Sequence, residues 1–260
     1  MIKAVFLDID GTMVAIGEKQ MRPSLVEAFD RLHAAGIKVF VASGRSRFII
    51  SNLRDYPFDG YITMNGGLAT IGDEVICSVP IERKLSVELA RRIEESGISS
   101  TVFCADGVGI NHEDEISRMV FGLIHLPPFP LLDIVENAKV RDVYEYTIFM
   151  DEATRMKYFA DMADKLNWER WHPQFLDIMS PKASKGDAMC KIAEALGLGR
   201  DEIMAFGDGG NDLTMIQMAG IGVAMGNGNE SVKTAADYIT DSVDNDGVVT
   251  ALEHFGLINR

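Results

Sequence analysis

The sequence has 260 residues, of which 47% are hydrophobic and 25% are charged, and its net charge at pH 7 is −14. This composition is ordinary for a globular protein, and the length suits one large domain or two modest ones. The negative charge argues against a nucleic-acid partner, and no apolar run is long enough to cross a bilayer. A small phosphate ester remains compatible, because a metal ion and a few cations reverse the field locally.

The cysteines and the first residues predict a cytoplasmic protein. Cys77, Cys104 and Cys190 are scattered and form no CxxC pair, which argues against a disulfide framework and favours a reducing compartment. The chain begins directly with a strand pattern and lacks the features of a signal peptide. We expect no membrane partner, and a monomer or weak homodimer.

The first eighty residues alternate between strand and helix patterns. A short apolar run at residues 4–7 is typical of a strand buried on both faces. Pro23 then opens a helical pattern that Gly36 ends. The elements predicted next are strand 39–42, helix 46–54 and strand 61–64. This order predicts a parallel sheet covered by helices.

The pattern changes after residue 67 and returns near residue 184. Two strand-like runs, 68–71 and 75–79, flank a Gly-Asp-Glu turn and predict a hairpin. The later elements predicted are helices 82–96, 152–166, 184–196 and 211–219, and strands 101–104, 108–110, 143–150, 175–179, 203–206, 221–224 and 238–240. We therefore predict an α/β fold with a Rossmann-like parallel-sheet domain at 1–82 and 183–260 and an inserted α+β domain at 83–182.

Polar residues follow three of the predicted parallel strands, where the ligand crevice of such a sheet lies. They are Asp8, Asp10, Gly11 and Thr12 after the first strand, Ser43, Gly44 and Arg45 after the second, and Asp208, Asn211 and Asp212 after a late one. Four carboxylates at one sheet edge repel one another without a cation. Oxygen ligands beside a phosphate favour Mg²⁺, so the sequence predicts a magnesium site.

Each of these residues also has an ordinary structural interpretation. Taken alone, Asp212 fits a turn or helix N-cap residue better than a metal ligand, and Ser43 fits a helix cap nearly as well as a binding residue. Lys185 alone fits a solvated surface lysine, although its position in a first helical turn opposes the helix dipole. The set of four acids at strand ends is harder to explain in this way.

Four motifs in order resemble those of the haloacid dehalogenase superfamily. They are VFLDIDGT at 5–12, VASGR at 41–45, SKGDA at 184–188 and GDGGND at 207–212. Within that superfamily the chain is similar, over its whole length, to the Cof-type hydrolases with an α+β cap of class IIB. The resemblance implies a Mg²⁺-dependent phosphatase acting on a small phosphorylated metabolite.

The resemblance also implies roles for individual residues. Asp8 would attack phosphorus and become an aspartyl phosphate, while Asp10 would protonate the leaving oxygen and then activate water. Mg²⁺ would be held by Asp8, the Asp10 carbonyl and Asp208, with Asp212 acting through water or orienting Lys185. The residues expected to bind the phosphate or substrate, or to brace that site, are Thr12, Ser43, Gly44, Arg45, Lys185 and Asn211, with Asn65 near the crevice.

The inserted domain would bind the leaving group. Candidate contacts are His112, Trp168, Trp171, His172 and Asp177, although burial within that domain or plain exposure explains each of them better. Known relatives act on sugar and polyol phosphates, flavin mononucleotide and pyridoxal phosphate. We favour hexose phosphates, because the insert is acidic and offers no aromatic cluster to enclose a flavin.

Two alternatives remain open at this point. A phosphomutase of the phosphomannomutase type shares the Asp-x-Asp pair, but it needs several arginines in the insert to clamp a second phosphate. The arginines there fall mostly in helical segments and form no evident cluster. A non-catalytic metabolite-binding protein is the other alternative, and it would have been expected to lose at least one of Asp8, Asp10, Lys185 or Asp208.

Overall fold

The computed structural model describes residues 1–123 and 126–259, apart from the side chains of Leu123 and Trp171. The chain divides into two compact units. The core unit comprises residues 1–78 and 184–260, and the inserted unit comprises residues 79–183. Among the described residues, no helix combines the length and the apolar character needed to span a membrane.

The secondary-structure elements follow the chain in this order. The strands are β1 (Ala4–Leu7), β2 (Lys38–Ala42), β3 (Gly60–Thr63), β4 (Leu68–Ile71), β5 (Glu74–Ser78), β6 (Ser100–Cys104), β7 (Gly107–Ile110), β8 (Val143–Ile148), β9 (Asn167–His172), β10 (Phe175–Met179), β11 (Ile203–Gly207), β12 (Ile221–Ala224) and β13 (Tyr238–Ile239). The helices are α1 (Pro23–Ala34), α2 (Arg83–Ser96), α3 (Glu115–Leu123), α4 (Ile134–Val140), α5 (Glu152–Phe159), α6 (Lys185–Ala195), α7 (Leu213–Met218), α8 (Glu230–Ala235) and α9 (Gly247–His254).

The core unit is built on one sheet with the strand order β13-β12-β11-β1-β2-β3-β4-β5. The strands from β13 to β3 pair in parallel, and β4 and β5 add an antiparallel hairpin at one edge. All four residues of β1 are buried, as expected for a central strand covered on both faces. The confirmed α/β architecture places the ends of β1, β2 and β11 side by side.

Helices cover both faces of this sheet. On one face α1 and α9 contribute apolar side chains such as Phe29 and Leu252 to a cluster with the strands. On the other face α6 and α7 contribute Met189, Ile192 and Met215. These apolar contacts fix where each helix begins relative to the ends of the strands. The positions of the polar residues in the crevice depend on this arrangement.

The inserted unit has an antiparallel sheet of its own, in the order β7-β6-β8-β10-β9. Helices α2 and α4 pack against one face of it, around Tyr146 and Ile178. Because the unit has its own sheet and its own apolar cluster, its fold is of the α+β kind.

Several local predictions were wrong, among them the helix expected over 152–166, whose α-helical part ends at Phe159. The helix expected over 46–54 is only a 3₁₀ turn at Arg47–Ile49, and Arg54 and Asp55 have φ angles of 53° and 52°. The carbonyl of Asn52 accepts a hydrogen bond from the Met21 N–H at 2.9 Å, so a long-range contact replaces the helical one. Strand β9 was not predicted, because its sequence NWERWH has no strand pattern. In the structure it forms by pairing with β10.

Candidate active site

The loop after β1 brings Asp8 to the edge of the sheet. The Asp8 N–H donates to the Phe206 carbonyl at 3.1 Å, which continues the ladder between β1 and β11. The chain then turns at Gly11, whose φ is +85° and whose N–H donates to the Val14 carbonyl at 2.8 Å. A Cβ on Gly11 would lie 2.3 Å from Asp208 Oδ2. Only glycine therefore allows the two loops to approach this closely.

Lys185 links the two distant parts of the core unit. It is the first residue of α6, after the N-cap Ser184, and its side chain is 0% exposed. Its Nζ donates to Asp8 Oδ1 at 2.7 Å and to Asp212 Oδ1 at 2.6 Å. A buried ammonium needs such partners, so the surface interpretation of Lys185 does not apply.

Asp212 is held from both sides. Its second oxygen, Oδ2, accepts from the N–H groups of Asp208 at 3.0 Å and Gly209 at 2.9 Å. A Cβ on Gly207 would lie 2.4 Å from the Asp212 Cβ, so this arrangement requires glycine there. Asp212 is 0% exposed. It therefore orients Lys185 and closes the loop after β11.

Three carboxylates of this cluster can share one cation. Asp8, Asp208 and Asp212 each offer an oxygen, and these oxygens lie within 4.8 Å of one another. Burial and the neighbouring Asp212 raise the pKa of Asp8 to about 8, although Lys185 opposes the shift. The same two causes raise the pKa of Asp208 to about 6. The excess negative charge and the hard oxygen donors fit Mg²⁺.

The two carboxylates also act on the lysine. Burial by itself lowers the pKa of Lys185, but the charges of Asp212 and Asp8 outweigh burial and raise it above its ordinary value. Lys185 consequently stays cationic, which suits a group that faces phosphoryl oxygens.

Asp10 is bound by Arg45. Arg45 Nε donates to Asp10 Oδ2 and Arg45 Nη2 donates to Asp10 Oδ1, both at 2.7 Å. The side chain of Asp10 is 43% exposed and that of Arg45 is 35% exposed, so the pair borders solvent. A fork of two charged hydrogen bonds fixes the orientation of a carboxylate. Arg45 thus lies in the site, where its side chain holds both carboxylate oxygens of Asp10.

Ser43 and Thr12 contact this site in different ways. The Ser43 hydroxyl oxygen accepts from the Arg45 N–H at 3.0 Å and is buried, so its hydrogen is left to donate to a ligand. The Thr12 hydroxyl donates to Asp208 Oδ1 at 3.5 Å. The resemblance implied that Thr12 binds substrate or braces the site, and the structure places its hydroxyl against Asp208.

Gly44 and Asn211 lie beside the same crevice. A Cβ on Gly44 would lie 3.1 Å from Asn65 Oδ1, and that oxygen accepts from Asn211 Nδ2 at 2.9 Å. Asn65 itself has a φ of 53°. The three residues therefore connect the loops after β2, β3 and β11.

Sequence reasoning missed Asn227. Its Nδ2 donates to the Gly11 carbonyl at 2.8 Å and lies 3.5 Å from Asp208 Oδ2, while its Oδ1 accepts from the Val243 N–H at 2.8 Å. A signal was present, because Asn227 follows strand β12 between two glycines, at the same sheet edge. It braces the Asp8 loop against the Asp208 loop.

The residues proposed within the insert have mostly structural partners. Trp168 donates from Nε1 to the Met162 carbonyl at 3.4 Å and packs against the apolar cluster. His172 stacks on Phe175 with ring centroids 5.5 Å apart. Half-buried His112 accepts from the Ser99 hydroxyl through its backbone carbonyl, and Asp177 accepts from Thr147. The side chain of Trp171 lies outside the described part.

The sequence profile of the haloacid dehalogenase-like hydrolases matches residues 5–252. The chain belongs to this family. A protein of Streptococcus pyogenes, named for a proposed phosphatase and peptidyl-prolyl cis-trans isomerase, is 32% identical over 100% of this chain. The alignment covers 55% of that protein, so this chain spans about half of its length.

Two solved structures of phosphatases are similar to this chain over nearly its whole length. A sugar phosphatase of subclass IIB, BT4131, is 35% identical with a TM-score of 0.85, covering 98% of this chain and 100% of that one. The phosphatase BT1666 of Bacteroides thetaiotaomicron is 34% identical with a TM-score of 0.86, covering 99% and 96%. The chain is a phosphatase of the Cof type with a subclass IIB cap.

Proposed function

We propose that this phosphatase hydrolyses small phosphorylated metabolites, in particular sugar phosphates, with Mg²⁺ and through an aspartyl phosphate on Asp8. The observation that carries the proposal is the buried Lys185, which joins Asp8 to Asp212 beside Asp208. Such a set pairs a nucleophile with a cation and a group of metal ligands. The similarity to the subclass IIB sugar phosphatase supports the substrate class.

Asp8, Asp208 and the Asp10 carbonyl would hold Mg²⁺. When bound, the ion offsets the repulsion between the Asp8 carboxylate and the phosphoryl oxygens. Both oxygens of Asp212 are already engaged, one by Lys185 and one by two backbone N–H groups. Asp212 therefore serves better to orient Lys185 than to bind the ion directly.

The reaction would proceed in two displacements. In the first, an Asp8 oxygen attacks phosphorus, the bond to the leaving oxygen breaks, and Asp10 gives that oxygen a proton. In the second, Asp10 takes a proton from water, whose oxygen attacks phosphorus and releases Asp8 and inorganic phosphate. Lys185 and Ser43 would hold the phosphoryl oxygens throughout.

The fork between Arg45 and Asp10 sets a condition on this sequence. Both carboxylate oxygens of Asp10 accept from Arg45. At least one of these hydrogen bonds has to break before Asp10 can reach a leaving oxygen, because proton transfer requires direct hydrogen-bond contact.

The arrangement of the insert's arginines disfavours the mutase. Arg83 pairs with Asp142, Arg92 with Glu88 and Asp161, Arg141 with Asp106, Arg155 and Arg170 with Glu152, and Arg118 with Glu113. These partners spread over several elements. Among these, only Arg155 and Arg170 share an acid, and Arg91 is an exposed residue of α2. Arginines that are mostly paired with acids in separate places do not form a clamp for a second phosphate.

The test is a panel of phosphate esters, including hexose and polyol phosphates, flavin mononucleotide and pyridoxal phosphate, assayed for inorganic phosphate. We expect release with Mg²⁺, loss in excess EDTA and recovery when Mg²⁺ is added back. Unchanged turnover in EDTA would contradict the metal role. An isomeric sugar phosphate in place of free phosphate would favour the mutase instead.

A further inference from the structure

The turn that follows β3, at residues 64–66, has an uncommon backbone. Met64, Asn65 and Gly66 have positive φ angles of 50°, 53° and 95°, and the described part of the chain contains no other run of three such residues. Glycine adopts these angles freely and asparagine does so more readily than most residues, but a residue such as Met64 does so at a cost. A costly backbone conformation persists only where the surrounding contacts require it.

The backbone of this turn is bonded to the loop after β2. The Met64 N–H donates to the Arg45 carbonyl and the Asn65 N–H donates to the Ser43 carbonyl, both at 3.2 Å. Ser43 carries one of the hydroxyls proposed to hold a phosphoryl oxygen, and Arg45 holds Asp10. The position of the turn therefore sets the position of both residues.

The same turn touches the beginning of α6. A Cβ on Gly66 would overlap the Ser184 carbonyl and would lie 2.8 Å from the Ser184 nitrogen, so the turn packs directly against the backbone there. Ser184 is the N-cap of α6, and Lys185 is the first residue of that helix. Because two backbones in contact have no flexible side chain between them, a shift of the turn also shifts the start of α6.

The side chain of Asn65 joins a third loop. Its Oδ1 accepts from Asn211 Nδ2 at 2.9 Å, and Asn211 lies in the loop after β11 that carries Asp208 and Asp212. Asn65 is only 5% exposed. One residue thus combines a left-handed backbone with a side-chain contact. Alanine in its place would lose both features, whereas glycine would lose only the side-chain contact.

We propose that Asn65 is a positioning residue that aligns Ser43 and Lys185 on one phosphoryl group. It acts through the loop after β2, the start of α6 and Asn211. This role rests on the proposed function in one respect, namely that Ser43 and Lys185 hold the phosphoryl oxygens. A small misplacement of groups that bind a reacting substrate lowers the rate by up to ~10²-fold. Asn65 should therefore affect phosphate binding and turnover as well as folding.

The experiment compares Asn65→Ala and Asn65→Gly with the control Asp55→Ala. Asp55 is exposed and has a φ of 52°, so its variant places alanine in the same backbone conformation away from these contacts. The probe is inorganic phosphate, titrated by calorimetry in the presence of Mg²⁺, and kcat/KM is measured with the best ester of the panel. We expect Asn65→Ala to lower the phosphate affinity and kcat/KM by about 10–100-fold. Asn65→Gly should lower both by less, because glycine keeps the left-handed backbone.

The control separates positioning from stability. Asp55→Ala should unfold at a lower temperature than the wild type and still bind phosphate with wild-type affinity. If Asn65→Ala also lowers only the unfolding temperature and keeps the wild-type phosphate affinity, the positioning role is overturned. If the wild type hydrolyses no ester of the panel, the proposed function fails, and the phosphate affinities still decide the role of Asn65.

A double-mutant cycle covers the case in which Asn65→Ala does not fold. Phosphate affinity is then measured for Asn65→Gly, Asn211→Ala and the double variant. Because the two side chains are hydrogen-bonded to each other, we expect the double variant to lose less affinity than the two single losses combined. Independent losses, or a wild-type affinity in Asn65→Gly, would overturn the positioning role.

Discussion

Each of the two units contains buried carboxyl groups, Asp8 and Asp212 in the core unit and Glu145 in the inserted unit, but the units stabilise them differently. In the core unit, Lys185 and two backbone N–H groups donate to Asp8 and Asp212. In the inserted unit, Glu145 has an oxygen with no donor among the described residues. The core cluster is therefore fixed by its donors, whereas Glu145 of the insert keeps a buried oxygen without one among the described residues.

This difference has consequences for catalysis and for stability. Groups that perform chemistry work best when they are held in place before the substrate arrives. A buried polar atom without a hydrogen-bond partner instead lowers the stability of the fold, by about 1–3 kcal/mol. The predictions below alter one unit or the other, from the largest expected effect to the smallest.

Replacing Asp8, the proposed nucleophile, should have the largest effect. Asp8→Asn keeps the shape of the side chain but removes its charge and its nucleophilic oxygen. We expect phosphate release to fall by ~10⁴-fold or more, as for other essential nucleophiles. The measurement is kcat with the best ester of the panel, and the control is Asp187→Asn, an exposed acid of α6. Near wild-type turnover in Asp8→Asn would contradict the assignment.

Replacing Lys185 should leave carboxylate oxygens of the core unit buried without a donor, as Glu145 Oε2 is in the described part of the insert. Lys185→Met leaves Asp8 and Asp212 buried without their shared cation. We expect the free energy of unfolding in EDTA to fall by about 3–5 kcal/mol, the usual cost of breaking a buried ion pair. Added Mg²⁺ should recover part of this loss. Urea unfolding measures it, and unchanged stability in EDTA would argue against the buried pair.

The fold and most of the residues that meet in the candidate site could be predicted from the sequence, because strand-end acids and buried apolar runs are local patterns. Asp8 and Asp208 follow apolar strands directly, and the parallel order of those strands brings them together. The partners of Arg45 and Asn227 could not be predicted, since they depend on which loops approach. The helix expected over 46–54 was wrong because the Asn52 carbonyl accepts from the N–H of Met21, a donor that lies far away in the chain. Glu145 gave only the weak signal of one acid inside an apolar strand.

A smaller effect is expected from Arg45→Ala, which releases Asp10. Asp10 is the proposed general acid–base group, and general acid–base catalysis contributes ~10²–10⁴-fold. One of its two hydrogen bonds to Arg45 can persist while the other breaks for proton transfer. We expect kcat to fall by about 10–100-fold, since Asp10 remains present but loses the bond that keeps it oriented. Arg47→Ala is the matched control, because Arg47 lies on the same turn and packs over Tyr61. An unchanged kcat in Arg45→Ala would show that the fork does not position Asp10.

The smallest effect concerns the pH dependence of stability. The folded-state pKa of Glu145 is raised above its unfolded value, so between these values the folded protein binds more protons than the unfolded one. The free energy of unfolding therefore falls as pH rises through this window. Glu145→Gln removes that contribution, and its stability relative to the wild type should increase with pH by about 1–3 kcal/mol, the cost of an unsatisfied buried group. Urea unfolding at several pH values measures this difference, and a constant difference would contradict it.

The contact between Lys185 and Asp8 spans 177 positions of the chain. During synthesis, Asp8 is made first, and Lys185 follows only after the whole insert. An insert with its own apolar cluster can fold in that interval and so shorten the flexible segment that must close, which lowers the entropic cost of closure. Because the insert lies between them in the chain, Asp8 and Lys185 cannot pair until most of the protein has been made.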